Sequence, residues 1–470
     1  MSSFLTIIRN SGYLVCFKIL SRSLTVIFFI YAASHLSPEL FGALSFVLVT
    51  VEVLNSTGDL GITRYGARQL VRHWDEKEIW TGKIMILQVV TSVPFAAIGL
   101  AVVIFYQPAY PKMQLLLIGL AAFFLFSLVS TTESVFNASQ KFFYSALFTF
   151  TGRFIYLMIG IIVLAAGGSV VLVMWGYLAA VVIEVLIRLL FVSYKIAHIS
   201  FHFPVKSLSQ MFFATIPFAV VGITVVLGYR INLIILEFFK GDVAAGIYNI
   251  AFTLYMPFTL IAIILSTTTF PFFVELCRKD VNRARAVLWQ WYRLFALAGI
   301  PVALAVTLAA SSVLNLFPSS YRGSSTILII LVWSVPFMLF IRLDINILQA
   351  IDQTRAVANG AVFGAVAITV FSFILIPFFG AVGAAIAALI PYVSQVLYFQ
   401  WKVRNDFLHR FAFPLLLRPV LGGLAMAALG LILFSFNVWL AVATGLLAYL
   451  AVIFSTGALR MSEIRAIVRG

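Results

Sequence analysis

What most constrains this chain is the length of its apolar runs. Segments 80–106, 113–137, 356–377 and 380–401 are each predominantly apolar, and each matches the stretch of about 20 residues that a helix needs to cross the hydrocarbon core of a bilayer. The composition agrees: 63% of the residues are hydrophobic and 10% are charged, whereas a soluble domain is about 45–50% apolar and about 25% charged. So few charges cannot cover a water-exposed surface of this size. A soluble enzyme, a secreted scaffold and a disordered chain are excluded, and a polytopic membrane protein remains. Hydropathy places fourteen spans, at about 10–36, 41–63, 80–106, 113–137, 143–166, 169–194, 209–238, 245–274, 286–310, 324–349, 356–377, 380–401, 414–436 and 438–457.

A net charge of +15 would suggest nucleic acid in a soluble chain. Here no nucleic acid partner is expected, because the cations collect on one side of the spans. With Arg9 inside, the inner loops hold Arg64, Arg68, Arg72, Lys77, Lys83, Lys141, Lys195, Lys206, Arg278, Lys279, Arg283, Arg285, Arg355, Lys402, Arg404, Arg410 and Arg418, and the tail adds Arg460, Arg465 and Arg469. The outer loops hold only Lys112, Lys240 and Arg322. This positive-inside bias predicts both termini on the cytoplasmic side. The apolar stretch from about Gly12 to Leu36 is too long for the h-region of a signal peptide, and no small-residue cleavage site follows it.

The two halves of the chain match each other weakly. Leu36-Ser-Pro-Glu-Leu-Phe-Gly42 and Lys240-Gly-Asp-Val-Ala-Ala-Gly246 both place a glycine at the opening of a helix, 204 positions apart. Asn137-Ala-Ser-Gln-Lys141 pairs with Gln349-Ala-Ile-Asp-Gln353, and Gly168 with Gly380, both at an offset of 212. Two six-helix units of the same orientation are expected, with residues 1–206 forming an N-lobe, 207–405 a C-lobe, and 406–470 two further helices and a basic tail. Transporters of this build bind substrate between their halves and rock them for alternating access.

Ionisable residues at membrane depth are costly, so each one needs a reason. Lys18 and Arg22 share one face of the first span, and Glu52 and Asp59 share one face of the second, which ends in Arg64 and Arg68. Glu133, Arg153, Glu184, Arg230, Arg293, Arg342 and Asp344 follow on later spans. Snorkelling and interhelical pairing account for Lys18, Arg64, Arg68, Arg153 and Arg293, whose long side chains reach the cytoplasmic headgroups. Arg22, Glu52, Glu133 and Arg230 lie deeper and favour function. Cations outnumber anions in this set, which suits an anionic ligand such as a phosphate or pyrophosphate held by Lys18, Arg22, Arg64, Arg68, Arg153, Arg230 and Arg342. Glu52, Asp59, Glu133 and Asp344 are candidates for carrying H⁺ or Na⁺ or for pairing with those cations. Prolines such as Pro94, Pro217, Pro257, Pro271, Pro336 and Pro391 permit bends in their spans.

The sequence contains no Walker A loop, no His-Glu-x-x-His and no cysteine pair motif. The two cysteines, Cys16 and Cys277, and the helically spaced His198 and His202 form neither a disulfide framework nor a metal site. No enzyme activity, cofactor or metal is expected.

The segments Ser37-Pro-Glu-Leu-Phe-Gly-Ala-Leu-Ser-Phe46, Gly58-Asp-Leu-Gly-Ile-Thr-Arg64, Gly246-Ile-Tyr-Asn-Ile-Ala-Phe252 and Gly380-Ala-Val-Gly-Ala-Ala-Ile-Ala387 resemble those of Wzx-type polysaccharide flippases. These belong to the multidrug/oligosaccharidyl-lipid/polysaccharide (MOP) superfamily. The resemblance implies an all-α, MATE-like fold of two six-helix lobes plus two helices. It also implies movement of an undecaprenyl-pyrophosphate-linked oligosaccharide, an O-antigen or exopolysaccharide repeat unit, to the outer leaflet of the cytoplasmic (inner) membrane of a bacterium or archaeon. Lys18, Arg22, Arg64, Arg68 and Arg230 would attract the pyrophosphate, with Arg22 and Arg230 foremost. Glu52, Asp59 and Glu133 would serve ion coupling or charge pairing. Family members often have Asp where this chain has Asn232, which puts a coupling role there in doubt. A monomer is implied, with polysaccharide polymerase and chain-length proteins as candidate partners. The rival readings are a MATE-like drug or cation antiporter, which would favour a carboxylate-rich cavity, a lipid II flippase, and a membrane-embedded glycosyltransferase, for which no outer loop is long enough.

Overall fold

The computed structural model describes residues 2–202, 206–409, 413–434 and 436–457. Side chains are described within these segments except over 2–16 and at some later positions, among them Lys18, Pro217 and Pro271. Arg9, Cys16, Arg410, Arg460, Arg465 and Arg469 lie outside the described side chains. Among the described residues every regular element is helical. The α-helices are α1 (Ser2–His35), α2 (Pro38–Gly58), α3 (Ile62–Arg72), α4 (Lys77–Tyr106), α5 (Lys112–Ala138), α6 (Phe142–Ala165), α7 (Val170–Lys195), α8 (Lys206–Lys279), α9 (Val281–Leu314), α10 (Ser324–Val332), α11 (Ser334–Ala350), α12 (Thr354–Val403), α13 (Leu417–Phe434) and α14 (Val438–Ser455).

Eleven helices among the described residues are long and apolar enough to cross a membrane, against the fourteen spans expected. The difference has local causes. Of α1 (Ser2–His35), the apolar part Ile19–His35 falls among the residues whose side chains are described. The 37-residue run Arg230–Ser266 and the 55-residue run Thr354–Leu408 each enclose a break in helical geometry. Gly241 (φ 77°, ψ −177°) and Gly380 (φ 56°, ψ −130°) make those breaks. Only a residue without a Cβ enters that part of backbone space readily. The sharp turns thus fall at glycines, whereas Pro94, Pro377 and Pro391 sit inside uninterrupted stretches of α4 and α12.

Helix starts follow side-chain chemistry. The Ser37 hydroxyl accepts from the Leu40 N–H ahead of Pro38 in the first turn of α2. The Asp280 carboxylate caps α9 by accepting from the Arg283 N–H at 3.0 Å. Each such acceptor satisfies a backbone donor that has no partner within the helix.

The expected second span, 41–63, holds over α2 but ends at Gly58, short of its expected limit. Leu60 (φ 44°) and Gly61 (φ 73°) turn the chain after α2, and α3 then runs as a separate, strongly amphipathic segment. Its Ile62 and Leu70 are fully buried against Ile84 of α4 and neighbouring apolar residues.

The chain divides into two compact units, Met1–Asn249 and Ile250–Gly470. In the first, α5 packs on α2, α3, α4 and α7, and α6 packs on α1 and α7. In the second, α9 packs on α10, α11, α13 and α14, and α12 on α10 and α11. Within the first unit the repeat-related glycines meet. A Cβ on Gly42 would lie 1.8 Å from the Asp242 carbonyl oxygen, and one on Gly246 2.1 Å from that of Pro38. Asn249 Nδ2 donates to Ser45 Oγ at 2.8 Å across the same 204-residue offset. Equivalent positions contact each other reciprocally, as across a local two-fold.

Candidate functional site

The first unit contains a cavity of about 240 Å³, lined by Asn55, Thr63, Phe126, Val129, Ser130, Glu133, Thr149, Arg153, Glu184 and Arg188. Arg188 on α7, 1% exposed, organises it. Its Nε donates to Glu184 Oε1 at 2.9 Å and its Nη1 to Glu133 Oε2 at 3.3 Å. Nη2 donates to the Ser145 carbonyl at 3.1 Å and to Thr149 Oγ1 at 2.6 Å. The Ser145 hydroxyl also donates to Glu133. Gly152 on α6 makes room, because a Cβ there would stand 2.4 Å from Glu184 Oε2. A buried guanidinium is tolerable only when its donors are met in this way. Arg153 lines the same cavity and makes no hydrogen bond or ion pair with a described residue. The ionisable lining is two carboxylates and two guanidiniums, so the cation excess expected from the sequence does not hold for this cavity.

The other predicted charges of this unit lie apart. Asp59 terminates α2 and accepts from the Thr63 N–H at 3.1 Å, from the Thr63 hydroxyl, and from Gln88 Nε2 at 2.6 Å. Glu52 instead accepts from Arg230 Nη2 at 2.9 Å. Glu52 and Asp59 thus have separate partners, although Asp59 keeps helical backbone geometry at the end of α2, its N–H donating to the Asn55 carbonyl. Glu52 is also 53% exposed rather than enclosed. Arg64 and Arg68 are exposed on α3 and do not belong to the end of a spanning helix. Arg22 is exposed on α1, and the side chain of Lys18 lies outside the described residues. Lys112, expected in an outer loop, is 7% exposed at the start of α5, bonded to Glu237 and 2.9 Å from Asp242. Asn232 donates to the Tyr248 hydroxyl.

In the second unit Asp344 on α11 is completely buried. Its Oδ1 accepts from the Tyr292 hydroxyl of α9 and from Gln400 Nε2 of α12 at 2.8 Å, while its Oδ2 has no hydrogen-bond partner. Arg342, two residues earlier, is half-buried. Cys277 is half-buried, and burial pushes its thiol above the ordinary range, which suits an inert residue. Among the described residues no group of three or more His, Cys, Asp or Glu is placed to hold a metal.

Sequence reasoning missed Arg188, Gln88, Tyr292 and Gln400. Glu184-x-x-x-Arg188 was the available signal, an i,i+4 pair within an apolar helix. The neutral donors carry no such mark.

Apolar helices bent at glycines, with charge networks and a polar cavity inside one unit, make up a fold that is shared with solved structures of membrane transporters. Lipid II flippase MurJ in an inward closed conformation matches 95% of this chain and 100% of its own, with a TM-score of 0.78 at 17% identity. An inward-facing multidrug resistance transporter of the MATE family matches 82% of this chain and 95% of its own, with a TM-score of 0.67 at 14% identity.

The sequence narrows this further: residues 7–277 match the profile of the polysaccharide biosynthesis protein family, and the chain belongs to that family. Among sequence relatives, the membrane protein MJ1068 of Methanocaldococcus jannaschii is 26% identical over 200 residues, 40% of this chain and 39% of its own. The probable flippase AglR of Haloferax volcanii is 27% identical over 164 residues, 34% of each chain. The chain thus spans well under half the length of these relatives.

Proposed function

We propose that this protein is a flippase that moves an undecaprenyl-pyrophosphate-linked oligosaccharide from the cytoplasmic to the outer leaflet of the cytoplasmic membrane by alternating access. The observation that carries the reading is the cavity at Arg153, a guanidinium with unused donors in a hydroxyl-lined space within a family of polysaccharide biosynthesis proteins. A guanidinium of this kind binds phosphate oxygens in pairs. The hydroxyls of Thr63, Ser130 and Thr149 suit the sugar that follows the pyrophosphate. Arg22, Arg230 and Arg342 are further candidate ligands. Of the four carboxylates considered for H⁺ or Na⁺ coupling, Glu52 is paired with Arg230, Glu133 with Arg188, and Asp59 caps a helix, so Asp344, met by neutral donors only, is the stronger candidate. The positive-inside bias puts both termini in the cytoplasm. The chain acts as a monomer, with polymerase and chain-length proteins as candidate partners.

The test is translocation of a fluorescent undecaprenyl-pyrophosphate oligosaccharide in proteoliposomes under an imposed pH or Na⁺ gradient. Wild type is expected to transport, and Arg153→Ala and Arg230→Ala to lose most of the rate. Full transport by both variants would remove the site assignment while leaving the flippase. Transport of lipid II alone would move the substrate to peptidoglycan precursors, and efflux of organic cations alone would make the protein an antiporter.

A further inference from the structure

Helix α3 is 11 residues long and its two faces differ sharply. Ile62, Gly66 and Leu70 are buried, and a Cβ on Gly66 would lie 2.8 Å from Ile84 Cδ1, so the helix is held tightly against the protein core. On the opposite face Arg64, Arg68 and Arg72 recur at every fourth residue and are all exposed. At 1.5 Å per residue they form a stripe about 12 Å long. None of the three makes a hydrogen bond or ion pair with a described residue, although the exposed Asp75 and Glu76 follow closely.

An amphipathic helix that binds a bilayer by itself inserts its apolar face. Here that face is already used by the protein, so the arginine face is what α3 presents. Just beyond it, Lys77 lies 5.3 Å from the Trp74 ring and Lys83 4.7 Å from the Trp80 ring. Tryptophans and cations in this combination mark the headgroup level of a membrane. At its other end α3 begins beside the cavity, because Thr63 is part of the cavity lining.

We propose that the stripe is a dock for a lipid diphosphate headgroup, collected at the membrane surface and delivered past Thr63 to the cavity at Arg153. The proposal rests on the flippase reading and specifies how its substrate enters. The Cβ atoms of residues one helical turn apart stand about 5–6 Å from each other, so two neighbouring arginines can reach the two linked phosphates of one diphosphate, whereas an ordinary phospholipid offers a single phosphate. Arginine also presents a planar fork to each phosphate, which lysine does not.

The test uses the full-length protein in nanodiscs of zwitterionic lipid, titrated with a polyprenyl diphosphate. The triple variant Arg64→Gln/Arg68→Gln/Arg72→Gln is expected to bind about tenfold or more weakly. The triple lysine variant should be intermediate, and neither should change thermal unfolding, since all three side chains are exposed. Wild-type affinity should fall with salt more steeply than that of the glutamine variant. Unchanged affinity in the glutamine variant would overturn the dock. So would equal competition by phosphatidylglycerol, which would make the stripe a general anionic-lipid surface. If wild type translocates the lipid-linked oligosaccharide while diphosphate binding ignores the stripe, the dock fails and the flippase stands. If wild type neither binds nor translocates, both fall.

Discussion

The two units each bury ionised or ionisable chemistry, and they satisfy it in opposite ways. Around Arg188 the charges are matched by charges: one guanidinium is held by Glu133, Glu184, a carbonyl and a hydroxyl drawn from three helices. Around Asp344 a carboxyl is matched by neutral donors only, on one oxygen, and Oδ2 has none. Closed ionic networks are costly to break at any one point, because each deletion strands the remaining partners. A carboxyl served by a phenol and an amide depends on less, and its free oxygen keeps it available to change. The first arrangement suits a fixed wall of the cavity, and under the flippase reading the second suits a group whose state alters during transport.

Arg188→Met should break the contrast most severely. It strands Glu133 and Glu184 together, at a cost of about 3–5 kcal/mol, to be read as a large fall in thermal unfolding temperature in a fixed detergent. Adding Glu133→Gln and Glu184→Gln should restore much of that loss, and failure to restore it would mean that Arg188 acts by packing. Gln400→Leu comes next. It removes one of the two donors to Asp344 and should cost about 1–3 kcal/mol. Asp344→Asn keeps the shape and the Oδ1 acceptor but places amide N–H donors where Oδ2 has no partner, so unfolding should shift by about 1–3 kcal/mol, less than for Arg188→Met. Under the flippase reading the same variant should lose the gradient dependence of transport while remaining folded. A fall in stability equal to that of Arg188→Met would erase the distinction between the two clusters.

Much of this was legible from the chain. Charge scarcity and run length point to membrane helices, and the Gly42–Gly246 match falls where α2 and α8 approach each other at equivalent atoms. The site was less legible, for reasons that are physical. Hydropathy averages over windows, so it ran the second span through Leu60 and Gly61, whose left-handed turn is a property of single residues. That extension hid α3. Pairing across helices is equally invisible to spacing, since Arg230 meets Glu52 and Lys112 meets Glu237 over long separations. Neutral partners such as Gln88 and Gln400 carry no charge signal, so a list of ionisable residues passes over them.

The weakest effect calibrates the rest. Lys279 and Glu275 form an ion pair at 2.5 Å, closer than the contacts of Arg188 with Glu133, Glu184, Ser145 and Thr149, yet their side chains are 72% and 67% exposed. The ammonium beside Glu275 holds its carboxyl below the ordinary carboxylate range. A depressed carboxyl contributes stability above its unfolded pKa and loses it as pH falls through the lowered value. Water and salt screen nearly all of that contribution at the surface. Lys279→Ala should therefore leave the unfolding temperature unchanged at pH 7, and the wild type and variant should unfold alike as the pH is lowered through the carboxylate range. A loss approaching that of Arg188→Met would show that proximity of charge, rather than its enclosure, decides what these networks are worth, and the contrast between the two buried clusters would then have to be argued from distance alone.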